Sequence, residues 1–267
     1  MVVVYNPIVY SYVFNGTFSG EVTPLSIFFD RPPYRVADSP IVAQGPKLIY
    51  PWKGRMCYTA PRINIDTKQY VNSINSTLYL SNTGNYGHVP LEAFITTDPT
   101  YGGFFPVGEI DEDITGLGQW GSYLIPLTER GLWRMEGEYG GDVTIMPIDK
   151  EHGCLSDRSV QSLNDGMLVW LGKKTLWALT PQGVQDIGKP LDKRLARHTD
   201  AEKRLAISVY DPGRQLYLLT IPIDTSASTY VFSPVTGQWD EWAGYPDGAM
   251  IYARHSTIPG VYATFAS

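Results

Sequence analysis

Residues 205–244 read LAISVYDPGRQLYLLTIPIDTSASTYVFSPVTGQWDEWAG, and this stretch decides the fold. LAISVY, QLYLLTI and TYVF carry the β-branched, aromatic and aliphatic side chains that fit a pleated surface. QWDEW alternates Trp239 and Trp242 with carboxylates. Between these runs, Asp211-Pro212-Gly213 and Pro234-Val235-Thr236-Gly237 supply turn chemistry: proline presets φ at one position and glycine accepts positive φ at another. Four short strands in succession within about 40 residues make a unit the size of one β-propeller blade.

The unit echoes along the chain. An apolar-aromatic pair follows a turn at Leu132-Trp133, Leu176-Trp177, Leu216-Tyr217 and Val261-Tyr262, in steps of 44, 40 and 45 residues. An earlier candidate, Leu78-Tyr79, stands 54 residues before Trp133, a longer step with room for an inserted loop. Periods of this length in an all-strand chain predict propeller blades. The repeat-defining packing positions are therefore Tyr79, Trp133, Trp177, Tyr217 and Tyr262. The expected fold is an all-β propeller of about five four-stranded blades over a single domain, residues 1–267. Residues 1–34 are read as N-terminal strands that complete the short last blade and close the ring. A β-sandwich or an open barrel is the alternative.

Composition agrees with many half-buried strands. Aromatic residues make up 13% of the chain, with 18 Tyr and 7 Trp, and charged residues only 18%. That balance disfavours disorder and long solvated helices. A net charge of −6 and a pI near 5.2 argue against a dedicated nucleic-acid binder. No apolar run is long enough to span a membrane. The opening MVVVYNPIVYSYVF lacks a basic start and a small-residue cleavage site, so it reads as strand and not as a signal peptide. Cys57 and Cys154 are two distant cysteines without a framework and are expected to be reduced core residues. Ile41 to Ala60 predicts a hairpin with Lys53-Gly54 at its tip. Lys189 to Arg204 is a charged, weakly helical interval in which Leu191 and Leu195 are spaced to dock one turn, and a solvated loop between blades is the equal alternative.

Gly116-Leu117-Gly118-Gln119-Trp120-Gly121 matches G-x-G-x-x-G, but SYLIPL follows it where a dinucleotide site needs a helix. The segment from Gly183 to Pro190 approaches a P-loop but ends in proline where a hydroxyl must reach Mg²⁺. His88, His152, His198 and His255 have no metal-ligand spacing. The acidic run Glu109, Asp111, Glu112 and Asp113 lacks the order of a calcium loop. Asn15 and Asn75 sit in glycosylation patterns that are incidental without a signal peptide. No catalytic, cofactor-binding or metal-ligating residue is assigned, and no enzymatic activity is expected.

The runs PLTERGLWRMEG, GCLSDRSVQSLNDGMLVWLGKKTLWALTPQGVQDIG and LYLSNTGNYGHVP resemble segments of propeller-forming virion proteins of tailed bacteriophages, of the tail nozzle or tail hub kind. The likeness covers roughly residues 35 to 267 and includes apolar-aromatic pairs near the turns at Arg130-Gly131 and Asp165-Gly166. It implies a structural component of the virion, made in the host cytoplasm. Identical subunits would form a ring, in contact with other tail or connector proteins, around a channel that genomic DNA crosses without sequence-specific binding. An acidic lumen would repel DNA phosphates and let the strand slide. Two other classes stay open. TYVFSPVTGQWDEW is similar to part of a kelch repeat, though the paired glycines of the preceding strand are missing. A carbohydrate- or receptor-binding propeller would use exposed Trp120, Trp239 and Trp242 to stack on sugar rings.

Overall fold

The computed structural model describes backbone and side chains of residues 47–59, 76–84, 102–109, 112–138, 142–163, 166–222 and 227–242, and elsewhere the backbone of strands. In chain order these are β1 (Val2–Tyr5), β2 (Ser11–Phe14), β3 (Ile27–Phe29), β4 (Ile41–Gln44), β5 (Leu48–Trp52), β6 (Arg55–Thr59), β7 (Arg62–Ile65), β8 (Gln69–Asn72), β9 (Thr77–Leu80), β10 (His88–Val89) and β11 (Gly103–Pro106). There follow β12 (Ile114–Trp120), β13 (Tyr123–Thr128), β14 (Leu132–Glu136), β15 (Thr144–Asp149), β16 (Gln161–Leu163), β17 (Met167–Leu171), β18 (Leu176–Thr180) and β19 (Gly183–Asp186). Two short helices, α1 (Asp192–Leu195) and α2 (Asp200–Arg204), precede β20 (Ile207–Asp211), β21 (Leu216–Ile223), β22 (Ser226–Ser233), β23 (Gln238–Trp242), β24 (Met250–Arg254) and β25 (Val261–Phe265).

The fold is all-β, with four four-stranded antiparallel sheets: β5-β6-β9-β11, β12-β13-β14-β15, β16-β17-β18-β19 and β20-β21-β22-β23. Each is a meander in which every strand pairs with the next one added. The stretch quoted first forms the last of these, with its predicted strands in place. Asp211 Oδ1 accepts the Gly213 N–H at 2.9 Å and closes the first turn, and Gly237 takes φ 67° in the third. A five-stranded sheet, β10-β3-β4-β7-β8, and the hairpins β1-β2 and β24-β25 account for the remaining strands. Within the N-terminal segment, β1 pairs with β2 and β3 pairs with β4.

The chain divides into two compact units, residues 1–114 with 135–146, and residues 115–134 with 147–267. In the first unit, β5 and β6 form the expected hairpin, with Lys53 at φ 47° and Gly54 at φ 72°. Positive φ at both central residues suits a two-residue turn between right-twisted strands. Trp52, Met56, Tyr58, Leu78, Leu80 and Phe105 are buried around it. Arg55, only 2% exposed, donates to the Ser81 carbonyl at 3.1 Å and to the Glu138 carbonyl at 2.9 Å, and Lys53 donates to Gly137 O at 2.8 Å. A buried cation is tolerated there because these carbonyls replace the water it has lost.

In the second unit the sheet β16–β19 is buried on both faces. Leu168, Trp170 and Leu179 point into one apolar cluster with Ile125, Leu127, Leu132 and Cys154. Val169, Leu171, Leu176 and Ala178 point into another with Tyr210, Tyr217, Leu219, Ile221, Tyr230 and Phe232. The strand period of two explains the split, since alternate residues of β17 and β18 face opposite sides. Of the two readings of the charged interval 189–204, the docked one holds: Leu191 is 2% exposed and Leu195 fully buried. Thr199 caps α2 in a reciprocal pair with Glu202, which fixes where that helix starts.

Candidate functional site

The recurrent feature of the second unit is the seam where the first strand of one sheet lies along the first strand of the next. Ser162 of β16 accepts the Gln119 N–H of β12 through its hydroxyl at 3.2 Å, and that hydroxyl also donates to Gln119 O. Thr115 Oγ1 of β12 donates to Cys154 O at 2.7 Å, in the segment that leads into β16. The next seam repeats the device. Gln161 Nε2 of β16 donates to Ser208 O of β20 at 3.1 Å, and Ser208 Oγ donates back to Arg158 O at 2.9 Å. Ser156 Oγ adds a bond to Ala206 O at 2.8 Å. β24 lies beside β20 in turn.

Close approach at the first seam depends on glycine. Gly116 and Gly118 are buried on β12, and a Cβ on Gly118 would stand 2.6 Å from Leu168 Cδ1 and 2.9 Å from Val160 Cγ1. A Cβ on Gly116 would stand 2.9 Å from Val160 Cγ2. The literal G-x-G-x-x-G match is thus a packing surface, in which missing side chains let a neighbouring sheet reach the strand. A strand and not a helix runs through it.

Aromatic N–H and O–H groups fasten the same seams from further out. Trp120 Nε1 donates to Gly166 O at the β16–β17 turn, and Trp239 Nε1 donates to Ile187 O at 2.6 Å. Trp170 Nε1 donates to His152 O and Gly153 O, both at 3.2 Å, and the Tyr217 phenol donates to Ser159 O at 2.8 Å. Each ring buries an apolar body and uses its polar tip on a backbone carbonyl of the adjoining segment. Burial raises the Tyr217 phenol well above its ordinary value, so it stays a donor.

The repeat-defining aromatics fall on unlike positions. Tyr79, Trp133 and Trp177 lie on the third strands β9, β14 and β18 of their sheets. Tyr217 lies on the second strand, β21, so the 40-residue step from Trp177 joins two different places in the meander. The third strand of that last sheet is β22, which carries Tyr230 and Phe232. Tyr262 is on β25 opposite Ala253, and its side chain is outside the described residues. The seam residues Thr115, Ser162, Gln161 and Ser208 were missed by the sequence reading. Small polar residues at the start of each unit's first strand were the available signal.

Titratable groups of kinds that carry chemistry elsewhere make local contacts here. Asp149 Oδ1 accepts the N–H of Glu151 and of His152 at 2.8 Å each and meets His152 Nδ1 at 2.9 Å. Burial pushes its carboxyl up, but these hydrogen bonds outweigh it and hold the group below the usual carboxylate range. The His152 ring packs on Trp177 at 4.1 Å. His198 is 6% exposed, with Nε2 3.0 Å from the Tyr230 hydroxyl and Nδ1 without a hydrogen-bond partner. Among the described residues neither histidine bonds a serine or cysteine, and no group of three His, Cys, Asp or Glu converges as a metal site. Cys57 and Cys154 are buried and unbridged. Burial raises both thiols, that of Cys154 to about 12. In the acidic run, Asp113 pairs with Lys47 at 3.7 Å and Glu112 is buried. Asp111, Asn15, Asn75 and His255 lie outside the described residues, as does the side chain of His88.

No family model matches the chain, and no curated protein matches it. Among solved structures it is similar to the extracellular domain of a one component system from B. thetaiotaomicron, with 13% identity and a TM-score of 0.43. That likeness covers 97% of this chain and 32% of the other, so this chain spans about a third of that protein's length. It carries no argument about fold or function. Among the described residues no helix is long and apolar enough to cross a membrane.

Proposed function

We propose that this protein is a non-catalytic structural component of a bacteriophage tail, of the nozzle or hub kind. Its sheets are read as blades of a β-propeller, and identical subunits form a ring around the channel that DNA crosses. The observation that supports the propeller is the side-by-side run of first strands, with β16 beside β20 and β20 beside β24, while both faces of the sheet β16–β19 are buried. Radial sheets share this pattern: inner strands crowd round an axis and outer strands face water. The fourth strands β15 and β23 are accordingly half-buried to exposed. Four sheets and the β24–β25 hairpin are read as five blades, the last completed by β1 and β2 from residues 1–34, while β3 pairs in the five-stranded sheet.

The tail role is supported by the sequence resemblance, and by polar groups that serve packing at the seams. Trp120 and Trp239, two of the three aromatics offered for sugar stacking, spend their N–H groups on Gly166 and Ile187. The assignment carries its partners with it: identical subunits, other tail or connector proteins, and DNA in transit, within the virion. Negative-stain microscopy of the purified protein, beside its mass in solution, tests the reading. Rings with a central channel and a mass several times 29.8 kDa are expected. A single 29.8 kDa species without rings contradicts it.

A further inference from the structure

The interval between β19 and β20 is built as a strap with two fixed ends. At the first, the N–H groups of Ile187 and Gly188 both bond Leu176 O at 3.1 Å, and Trp239 Nε1 donates to Ile187 O at 2.6 Å. At the second, Ser156 Oγ donates to Ala206 O at 2.8 Å. Between them, Leu191 and Leu195 enter the apolar cluster that holds Tyr210, Tyr217, Leu219 and Tyr230. Arg194 and Arg204 pair with Glu241 and Glu129, but these pairs are half exposed and water screens them. Lys203 Nζ adds one hydrogen bond, to Lys173 O at 2.8 Å.

His198 lies between the end of α1 and the Thr199 cap of α2. It is 6% exposed, its ring meets Tyr230 edge-on at 6.1 Å, and Nε2 stands 3.0 Å from the Tyr230 hydroxyl. Nδ1 is buried and has no hydrogen-bond partner among the described residues. A neutral ring with its proton on Nε2 suits this setting, because it donates to Tyr230 and leaves only a lone pair on Nδ1. An imidazolium does not, because Nδ1 would then carry a buried N–H without an acceptor. The surrounding charges give it little help. Arg197 beside it and Lys203 of α2 oppose a further cation, while Glu202 of α2 and Glu241 of β23 favour one. Both carboxylates are already engaged, Glu202 by the Thr199 N–H and hydroxyl at 2.6 and 2.9 Å, Glu241 by Arg194 at 2.9 Å. Burial outweighs them and holds the imidazole below its ordinary 6.5.

We propose that residues 189–205 are an acid-released latch: protonation of His198 lifts the strap while its two ends stay fixed, and uncovers the apolar cluster beneath Leu191 and Leu195. In the lifted strap both ring N–H groups bond water. Opening therefore binds one proton, and its equilibrium rises as pH falls from 6.5 towards the docked value, by up to about tenfold per pH unit. The latch is a property of this one chain and does not rest on the ring reading.

The test is hydrogen–deuterium exchange of the full chain at pH 7.5 and 5.5, read on peptic fragments by mass spectrometry, with labelling times scaled to the intrinsic exchange rate. Fragments with the bonded amides of Ala196, Arg197, His198, Lys203 and Leu205 should lose protection several-fold at the lower pH, while those of β17 and β18 keep theirs. His198→Gln, which keeps an N–H for Tyr230 and does not titrate, should protect the strap equally at both values. Unchanged protection in the native chain overturns the proposal. An equal loss in native chain and variant also overturns it, because the source is then the carboxylates of the ion pairs. Loss that extends to β17 and β18 is general unfolding and overturns it too. If His198→Gln is open at both values, nuclear magnetic resonance titration of the native His198 ring decides. Its midpoint should coincide with the loss of strap protection, and a ring that titrates while the strap stays closed overturns the latch.

Discussion

Two of the four-stranded sheets have one topology and opposite sequence behaviour. The sheet β16–β19 is made from residues 161–186, with short connections throughout. The sheet β5-β6-β9-β11 has the same meander, but β7 and β8 intervene between its second and third strands, and β10 between its third and fourth. Those extra strands pair in a different, five-stranded sheet. A meander therefore survives insertions at its turns, because its pairing and packing need only the strands themselves. Sequence period survives only where connections stay short. The sheets also differ in how they are held. The continuous one is clamped by apolar clusters on both faces, whereas the interrupted one relies on a buried cation, Arg55, for contacts to the 137–138 turn.

The largest expected effect falls on the continuous sheet. Trp170 is fully buried, and Trp170→Ala should cost about 4 kcal/mol through its cavity and two orphaned carbonyls, read by urea denaturation. Arg55→Leu probes the interrupted sheet and should cost about 3 kcal/mol, since carbonyls of Ser81 and Glu138 lose their donor. If it proves neutral, the contrast between the two sheets is wrong. Gly118→Val presses on Val160 and Leu168 and should cost about 2 kcal/mol. Tyr217→Phe removes one buried donor from Ser159 O while keeping the ring, for about 1 kcal/mol.

The smallest effect is a pH dependence at the docked helical interval. Burial lowers His198 below its ordinary 6.5, opposed by Glu202 and Glu241 and assisted by Lys203 and Arg197. A folded-state value below the unfolded one means the native state resists protonation. Stability is then full above pH 6.5 and declines as pH falls from there through the folded value. Denaturation midpoints at pH 7.5 and 5.5 should differ more for the native chain than for His198→Phe. Equal differences in the two would remove His198 as the source.

The strands of residues 205–244 were legible because turn residues and β-branched runs alternate cleanly there. The docked interval was legible from Leu191 and Leu195. Tyr217 shows the limit: it shares a post-turn motif with Trp177 yet occupies the second strand, because β20 is followed by a turn of its own at Asp211-Pro212-Gly213. A local motif reports the end of a turn and carries no strand number. The seam was not legible, because Gly116 and Gly118 acquire their role only from Val160 and Leu168, some 40 residues on. The strands β7 and β8 give a weaker signal, since Arg62–Ile65 alternates polar and apolar residues over only four positions and Gln69–Asn72 sets its two apolar residues side by side.

At the first seam β12 packs closely, through Gly116 and Gly118, on the segment that leads into β16 and on Leu168 of β17. A Cβ at Gly116 would stand 3.3 Å from Cys154 Sγ, close to the separation across a disulfide. The direct measurement is therefore peptide mapping of the oxidised Gly116→Cys variant by mass spectrometry. The account predicts a bond between the introduced thiol and Cys154, formed with the native circular dichroism spectrum retained. A folded variant whose two seam thiols stay free under oxidation would contradict it.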